Sequence, residues 1–458
     1  MVSCNPFPVV CGNRCCQSRF GANSPDAETL SEGFAGMSIW KLPQRIRGAG
    51  LAALRNLLLA AAMLSEPALA QDAVCSAFKD WWAKPGQARA GKVIRLGGYF
   101  YAGRVDTAWI GENFDLIDLN AKNDTNLVRG LRSINPNIAV YQQFLLQQAV
   151  TRQTGAQAVS VPDESSVEAW RLRKKDGSAA SSPRGPNYLP MDFRGTSGWA
   201  AHFAREARRH LDLTHSDGVV LDEVPLRLGF MTWGDLRDYA TDEDVQDAIR
   251  QWLGDVRRTL RAPVLINAGV LHGRDRHGVM LWDKLDDVID GAWHEGWVRF
   301  YGAHDSPHEG NAWEADIASL ERFSGSRRPY IASAAFRNRS ELEYGLANYL
   351  LAINGPSGVF QPMWEYDPVT RGGFNLDIVR REVEWNRDLF DVALGCPTAV
   401  RQKKDGLWYR TFERGLVVVN ASRRALYAAV PAGHSRVGGP ALQGRVGMEP
   451  FTGMVLVK

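Results

Sequence analysis

The amino-acid sequence predicts a (β/α)8 barrel followed by a small antiparallel β domain. Three observations carry that prediction. From residue 91, eight short runs rich in Val, Ile and Leu alternate with amphipathic helical stretches over about three hundred residues, the usual size of such a barrel. The first run leads into Gly97-Gly98-Tyr99-Phe100-Tyr101. That leaves no Gly-x-Gly-x-x-Gly cradle for a pyrophosphate, which argues against an open dinucleotide-binding sheet. After Cys396-Pro397 the helical periodicity stops, and strand-like runs separated by Gly, Pro and Asn take over.

The chain opens on what reads as an address. Lys41, Arg45, Arg47 and Arg55 precede the apolar run 57–64, and Ala68-Leu69-Ala70 supplies a small-x-small cleavage pattern before Gln71. Residues 37–70 therefore read as a secretory signal peptide, whose apolar run is short for a bilayer span. An uncleaved anchor is the alternative. Met37 is the expected start, with 1–36 a mis-called extension that holds Cys4, Cys11, Cys15 and Cys16 but lacks a core to support a zinc cluster. The mature chain keeps Cys75 and Cys396, which flank the barrel at its two ends. In an oxidising compartment they either pair or stay as free thiols. Asp72-Ala73-Val74-Cys75 departs from a lipoprotein box, so no lipid anchor is expected.

Residues 71–90 lead into the barrel, which is placed at 91–395. Its candidate strands are 92–97, 116–119, 138–141, 218–221, 263–267, 288–293, 330–334 and 358–362. Short continuous apolar runs bounded by Gly, Pro, Asn or Asp suit strands buried on both faces of a parallel sheet. The intervening helices include 198–211, 242–260, 340–353 and 377–392, and Thr241-Asp242-Glu243-Asp244 has the form of an N-cap with acids in the first turn. The connection 144–196 is long and rich in Pro, Ser and Gly. After a barrel strand such a loop sits over the active-site face, with Asp192 near its end facing inward or forming a turn. Strands at 407–412, 416–420, 426–430 and 454–457 then build a C-terminal β-sandwich domain, 396–458.

Composition narrows the function. The chain is 45% hydrophobic and 23% charged, ordinary for a soluble globular enzyme, and its net charge is +3. Six cations and four acids in the first seventy residues account for most of that charge. The remainder lacks the basic field of a nucleic-acid binder. Fifteen Trp, all but Trp40 beyond residue 70, supply flat faces that suit carbohydrate as well as core. No stable membrane insertion is expected after signal cleavage, and a monomer is expected.

The chemistry lies at the strand ends. Val219-Val220-Leu221 is followed by Asp222-Glu223, and Val288-Ile289-Asp290-Gly291-Ala292-Trp293-His294 by Glu295. Hydrolysis of a glycoside needs two carboxyl groups flanking the bond, one to protonate the leaving oxygen and one to attack or to activate water. These acids end the fourth and sixth strands, whose shared parity lets inward side chains occupy one layer. Asp222 is assigned as nucleophile and Glu295 as general acid/base, with Glu223 in reserve for either role. Alternation along a strand means that Asp222 and Glu223 should not face the same way. Trp293 and Trp297 bracket Glu295 and would desolvate it, as a general acid requires.

Other strand ends carry groups that bind sugars: Tyr99 and Tyr101, Asp118 and Asn120, Gln142 and Gln143, Asn267, His294, and Trp364 with Glu365. Amides and carboxylates hold hydroxyls, and aromatic faces pack on pyranose C–H surfaces. Singly each reads as structural; their shared placement is the signal. The histidines show no HExxH or Cys/His spacing, so no metal and no cofactor are expected. No Gly-x-Ser-x-Gly appears, and Ser333 stands alone in its strand.

The motifs Asp217-Gly218-Val219-Val220-Leu221-Asp222-Glu223 and Asp290-Gly291-Ala292-Trp293-His294-Glu295-Gly296-Trp297 resemble those of the hypothetical glycosyl hydrolase family 15. The stretch Tyr409-Arg410-Thr411-Phe412-Glu413-Arg414-Gly415-Leu416 onward is similar to the β domain that follows the barrel there. A more distant likeness is to endo-α-1,4-polygalactosaminidase barrels. The resemblance covers about residues 91–458 and implies a (β/α)8 barrel, secretion and carbohydrate cleavage; it does not decide between Asp222 and Glu223. The expected function is a secreted glycoside hydrolase of a polysaccharide or oligosaccharide, with retention favoured by analogy with barrels that use strands four and six. A non-catalytic carbohydrate-binding barrel is the first alternative. A barrel lyase or aldolase is the second, and would want a strand-end Lys or a metal.

Overall fold

The computed structural model describes residues 72–84, 91–101, 106–120, 124–151, 159–161, 164–182, 185–228, 235–267, 281–299, 306–364 and 376–458. The expected signal peptide and extension lie outside them, as do Glu365 and the side chains of Tyr101 and Trp364. A helix over 72–82 (α1) is followed by β1 (Gly97–Tyr101), α2 (Thr107–Asn113), β2 (Leu116–Asn120), α3 (Leu127–Ile134) and β3 (Ala139–Leu145). The long connection then forms β4 (Gln148–Val150), β5 (Val159–Ser160) and β6 (Tyr188–Pro190), before α4 (Trp199–Thr214) and β7 (Gly218–Asp222). Next come α5 (Asp242–Leu260), β8 (Val264–Asn267), α6 (Leu281–Leu285), β9 (Gly291–Glu295), α7 (Gly310–Gly325), β10 (Tyr330–Phe336), α8 (Arg339–Ala352) and β11 (Gly358–Trp364). Two helices, α9 (Leu376–Trp385) and α10 (Arg387–Phe390), lead to β12 (Gln402–Lys404), β13 (Leu407–Phe412), β14 (Gly415–Asn420), β15 (Leu426–Arg436), β16 (Ala441–Met448) and β17 (Thr452–Val457).

The barrel is an eight-stranded parallel sheet in the order β1-β2-β3-β7-β8-β9-β10-β11. It closes through a parallel bridge between Leu96 and Phe360, whose amide donates to the Arg95 carbonyl at 2.8 Å. Sequential parallel strands joined through helices leave the helices outside, so the strands are buried on both faces and read as unbroken apolar runs. Local signals fix the helices. Thr241 and Asp244 form a reciprocal capping box at α5, and Asn338 caps α8 by accepting from the Glu341 amide at 3.0 Å. Such caps are worth about 1 kcal/mol each.

Inside the barrel, Leu116, Tyr141, Val220, Leu265, Trp293, Ile331 and Val359 form one buried cluster, a residue from each of seven strands. The remaining strand, β1, contributes Gly97, where a Cβ would stand 2.8 Å from Val359 Cγ1, so only glycine fits. This apolar floor fixes the parity of every strand, because side chains alternate between faces.

Several boundaries differ from the sequence expectation. The first strand starts at Gly97 rather than residue 92, which puts Tyr99 within it. The stretch expected as one helix over 377–392 breaks at Asn386, whose side chain donates to the Glu382 carbonyl at 2.9 Å and competes with the helix ladder. The connection after β3 is not bare loop: β5, β4 and β6 make a three-stranded sheet of their own. The expected β-sandwich is instead one six-stranded sheet, β12-β13-β14-β17-β15-β16, in which Ala428, Val430 and Met448 of the β15–β16 hairpin share a core with Leu407, Leu416, Val418, Met454 and Leu456. The strands β12 and β16 escaped sequence reading because they are short or exposed edges with little apolar patterning.

The β domain docks on α8. The Arg410 guanidinium is buried and donates to the carbonyls of Leu350, Leu351 and Ile353 at 3.2, 3.0 and 2.7 Å, satisfying the C-terminal end of that helix. At the other end of the chain, Cys75 of α1 is disulfide-bonded to Cys396. No helix of the described residues is long and apolar enough to cross a membrane.

Candidate active site

One step above the floor, each barrel strand presents its next inward residue two positions on. These are Tyr99, Asp118, Gln143, Asp222, Asn267, Glu295, Ser333 and Gln361, all with polar atoms. An apolar layer topped by a complete polar layer at the C-terminal strand ends is the arrangement of a barrel active site.

The acids meet at Asn267. Its Nδ2 donates to Asp222 Oδ1 and to Glu295 Oε2, each at 2.9 Å. Those two oxygens therefore lie within twice that distance of each other. Asp222 also accepts from Gln143 Nε2 at 2.8 Å on Oδ2, and from the Glu223 amide at 2.8 Å on Oδ1. Burial, then the charges of Glu295 and Glu223, push the Asp222 carboxyl up to about 7, against the stabilising donations from Asn267 and the Glu223 amide. Glu223 sits just beyond the strand with φ of 55°, a left-handed turn that ends β7 and breaks the alternation. Its carbonyl accepts from Gln147 Nε2, which ties the rim to the small sheet after β3.

Glu295 is held from behind. Gly296 (φ 78°) and Val298 (φ 54°) turn the chain sharply after β9. A β-branched residue in that region persists only when its surroundings impose it. Asp316 of α7, fully buried, does so: its Oδ2 accepts from the Val298 amide at 3.1 Å and pairs with His308 Nδ1 at 2.6 Å, and its carbonyl accepts from Trp297 Nε1 at 2.9 Å. The His308 amide donates to the Val298 carbonyl at 2.9 Å. Burial pulls the His308 imidazole down, but its hydrogen bond and charge interaction with Asp316 outweigh that and leave it raised.

Six residues expected at the site occupy the polar layer: Tyr99, Asp118, Gln143, Asp222, Asn267 and Glu295. The Tyr99 and Trp293 rings lie 5.7 Å apart, and Trp293 Nε1 donates to Gln361 Oε1 at 2.8 Å. Asn120 shares the inward parity and is buried at the end of β2. Four expectations are corrected. Gln142 faces the helices and donates to Ser216 Oγ at 2.9 Å. His294 likewise points outward, with Nδ1 2.7 Å from Tyr330 Oη and Nε2 3.7 Å from Asp316 Oδ1. Each is one residue off the inward register. Trp297 is core beside α7 and does not cover the pocket side of Glu295. Asp192 is buried in a local network, accepting from Arg194 and from Tyr239 Oη at 2.7 Å. Tyr101, Trp364 and Glu365 fall where no side chain is described. Gln361 was missed and Ser333 set aside because both lie inside the expected strands 330–334 and 358–362, whereas sugar-binding groups were expected on and beyond the strand ends. Counting two residues on from each floor position would have found them.

Among the described residues one group of three metal-capable side chains, Cys75, Cys396 and Glu413, clusters closely, and its sulfurs are joined to each other.

A sequence profile of the family described as hypothetical glycosyl hydrolase family 15 matches residues 132–416. No curated protein sequence matches the chain. Among solved structures, the chain is similar to the glycoside hydrolase domain of PelA from Pseudomonas aeruginosa, at 15% identity and TM-score 0.41, covering 58% of this chain and 94% of that one. It is similar to the alpha-L-fucosidase isoenzyme 2 from Paenibacillus thiaminolyticus at 12% identity and TM-score 0.38, covering 65% and 50%. The alpha-amylase from H. orenii matches at 10% identity and TM-score 0.40, covering 79% and 99%.

Proposed function

The chain belongs to hypothetical glycosyl hydrolase family 15 and is a glycoside hydrolase, and on that premise we propose that it is an exported enzyme that cleaves a polysaccharide or oligosaccharide with retention of configuration. The observation that carries the mechanism is the single Asn267 amide nitrogen shared by Asp222 and Glu295. Oxygens so bridged are too close for the roughly 6.5–9.5 Å gap that an inverting enzyme needs for water, and suit the roughly 5–5.5 Å of a retaining pair.

The electrostatics favour the reverse of the roles expected from sequence. A carboxyl raised to about 7 keeps its proton near neutrality, so Asp222 suits the general acid/base and Glu295 the nucleophile. Glu295 attacks the anomeric carbon while Asp222 protonates the departing oxygen, leaving a glycosyl ester on Glu295. Asp222, now ionised, takes a proton from water, which attacks the same carbon and releases the sugar and Glu295. The charge of Glu223 helps Asp222 keep its proton before the first step.

Reducing-end release from a panel of bacterial and plant polysaccharides tests the activity. Asp222→Asn and Glu295→Gln should each lower kcat about 10²–10⁴-fold on the substrate found. Azide then separates the roles. Asp222→Ala with azide should form a glycosyl azide of retained configuration, and Glu295→Ala one of inverted configuration. The opposite stereochemistry would restore the sequence assignment, and wild-type rates in both variants would remove the pair from catalysis.

Export rests on the signal motif before Gln71 and on the Cys75–Cys396 disulfide, a bond that persists in oxidising compartments.

A further inference from the structure

Among the members of the polar layer without a task in the mechanism above, Ser333 and Gln361 lie on adjacent strands, as neighbours across β10 and β11. Ser333 is also the register partner of Glu295 across β9 and β10. Both are buried, at 0% and 3% exposure. They face inward, two residues on from Ile331 and Val359 of the floor.

Their polar atoms are oriented but unused. Gln361 Oε1 is occupied by the Trp293 indole, which fixes the amide and turns Nε2 away from that bond. Gln361 Nε2 and Ser333 Oγ have no hydrogen-bond partner among the described residues. The same holds for Asn267 Oδ1, whose Nδ2 is committed to the two carboxylates. A buried donor or acceptor without a partner is a standing penalty on the folded state, and native interiors leave few of them. Three in one layer around Glu295 need a common reason.

We infer that Ser333 and Gln361 are sugar-binding residues, which together with Asn267 Oδ1 hold the hydroxyls of the pyranose ring that Glu295 attacks. The set offers one fixed donor, one fixed acceptor and one hydroxyl that serves as either. Neighbouring ring hydroxyls, each both donor and acceptor, complement it. The tilted Trp293 and Tyr99 rings border the same space. A sugar lacking one of those hydroxyls would leave Gln361 or Asn267 buried and unpaired, so the layer selects for the full hydroxyl pattern.

This inference rests on the hydrolase reading, and the test separates the two. Ser333→Ala removes an unpartnered hydroxyl with almost no change of shape, and Gln361→Met keeps the length of the side chain but loses its amide. Melting temperature and kcat/KM are measured on the full-length wild type and both variants, using the polysaccharide the wild type cleaves. Ser333→Ala is expected to melt at the wild-type temperature or above it while losing about tenfold to a hundredfold in kcat/KM, and Gln361→Met to lose at least as much. A residue needed only for structure would show the reverse. A fall of several degrees for Ser333→Ala at unchanged kcat/KM, or both variants within twofold of the wild type in kcat/KM, overturns the inference. A wild type that cleaves nothing in the panel overturns the hydrolase reading, and this inference with it. A cleaving wild type matched by both variants overturns this inference alone.

Discussion

At the scale of single residues the site is built to hold two acids closer than they would choose to be. Asn267 spends both hydrogens of its amide nitrogen on them, and Gln143 and the Glu223 amide steady Asp222 further. The cost is visible in Asp222, raised from its ordinary 3.8 to about 7 by burial and by its acidic neighbours. An acid raised by folding binds more protons in the native state than in the unfolded one, so its contribution to stability is lost as pH rises from about 4 toward 7. Replacing it should therefore stabilise the protein. Asp222→Asn is expected to be more stable than the wild type by on the order of 1–4 kcal/mol at pH 8 and no more stable at pH 4, read by urea unfolding. A variant equally destabilised at both pH values would show that Asp222 serves the fold. Residue identity at these positions was legible in the sequence: acids and amides gathered at the ends of several apolar runs point to a shared site, although any one of them can be structural, as Gln142 is. Which neighbour faces it was not. Gln142 against Gln143, and His294 against Glu295, differ by one position, and strand parity is known only once the floor cluster places Tyr141 and Trp293.

At the scale of elements, the turn after β9 shows how a helix outside the barrel positions a group inside it. Asp316 pins the segment 297–298 and the returning His308 to α7, and the left-handed Val298 is the strain it holds. The raised His308 gives this clasp a pH dependence. Its stabilising share is complete below the unfolded imidazole value of about 6.5 and is lost as pH rises through the higher folded value. His308→Gln should thus destabilise the protein at pH 6 more than at pH 9, by about 1 kcal/mol in thermal or urea unfolding. Asp316→Ala, which strips a buried acceptor from the Val298 amide and from His308, should cost about 3–5 kcal/mol. None of this was legible in sequence, because Asp316 lies on a helix some twenty positions from Glu295 and carries no motif. Elements with strong local signals were legible almost to the residue: α5 spans Asp242–Leu260, as its cap and periodicity predict, whereas Asn386 splits a helix whose periodicity runs on.

At the scale of the whole molecule, the two ends of the barrel are tied together. The Cys75–Cys396 bond joins α1 to the start of the β domain across 321 residues of sequence, and Arg410 and Glu343 fasten that domain to α8. A crosslink over so long a loop removes much freedom from the unfolded chain. Its reduction, or Cys75→Ser, is expected to lower stability by about 2–5 kcal/mol and to leave the kcat of the folded enzyme unchanged, as measured by unfolding with and without reductant alongside polysaccharide turnover. The sequence by itself determined the barrel, the β domain and the acidic strand ends, because burial on both faces, helix caps and turn residues are local properties that composition and spacing report. Only the tertiary structure decided which side chains share the inner layer, that the two cysteines pair, that the tail is one sheet, and that Asp222 holds a raised carboxyl. Each of those depends on which distant segments come into contact, and contact between strands far apart in the chain sets both parity and electrostatics.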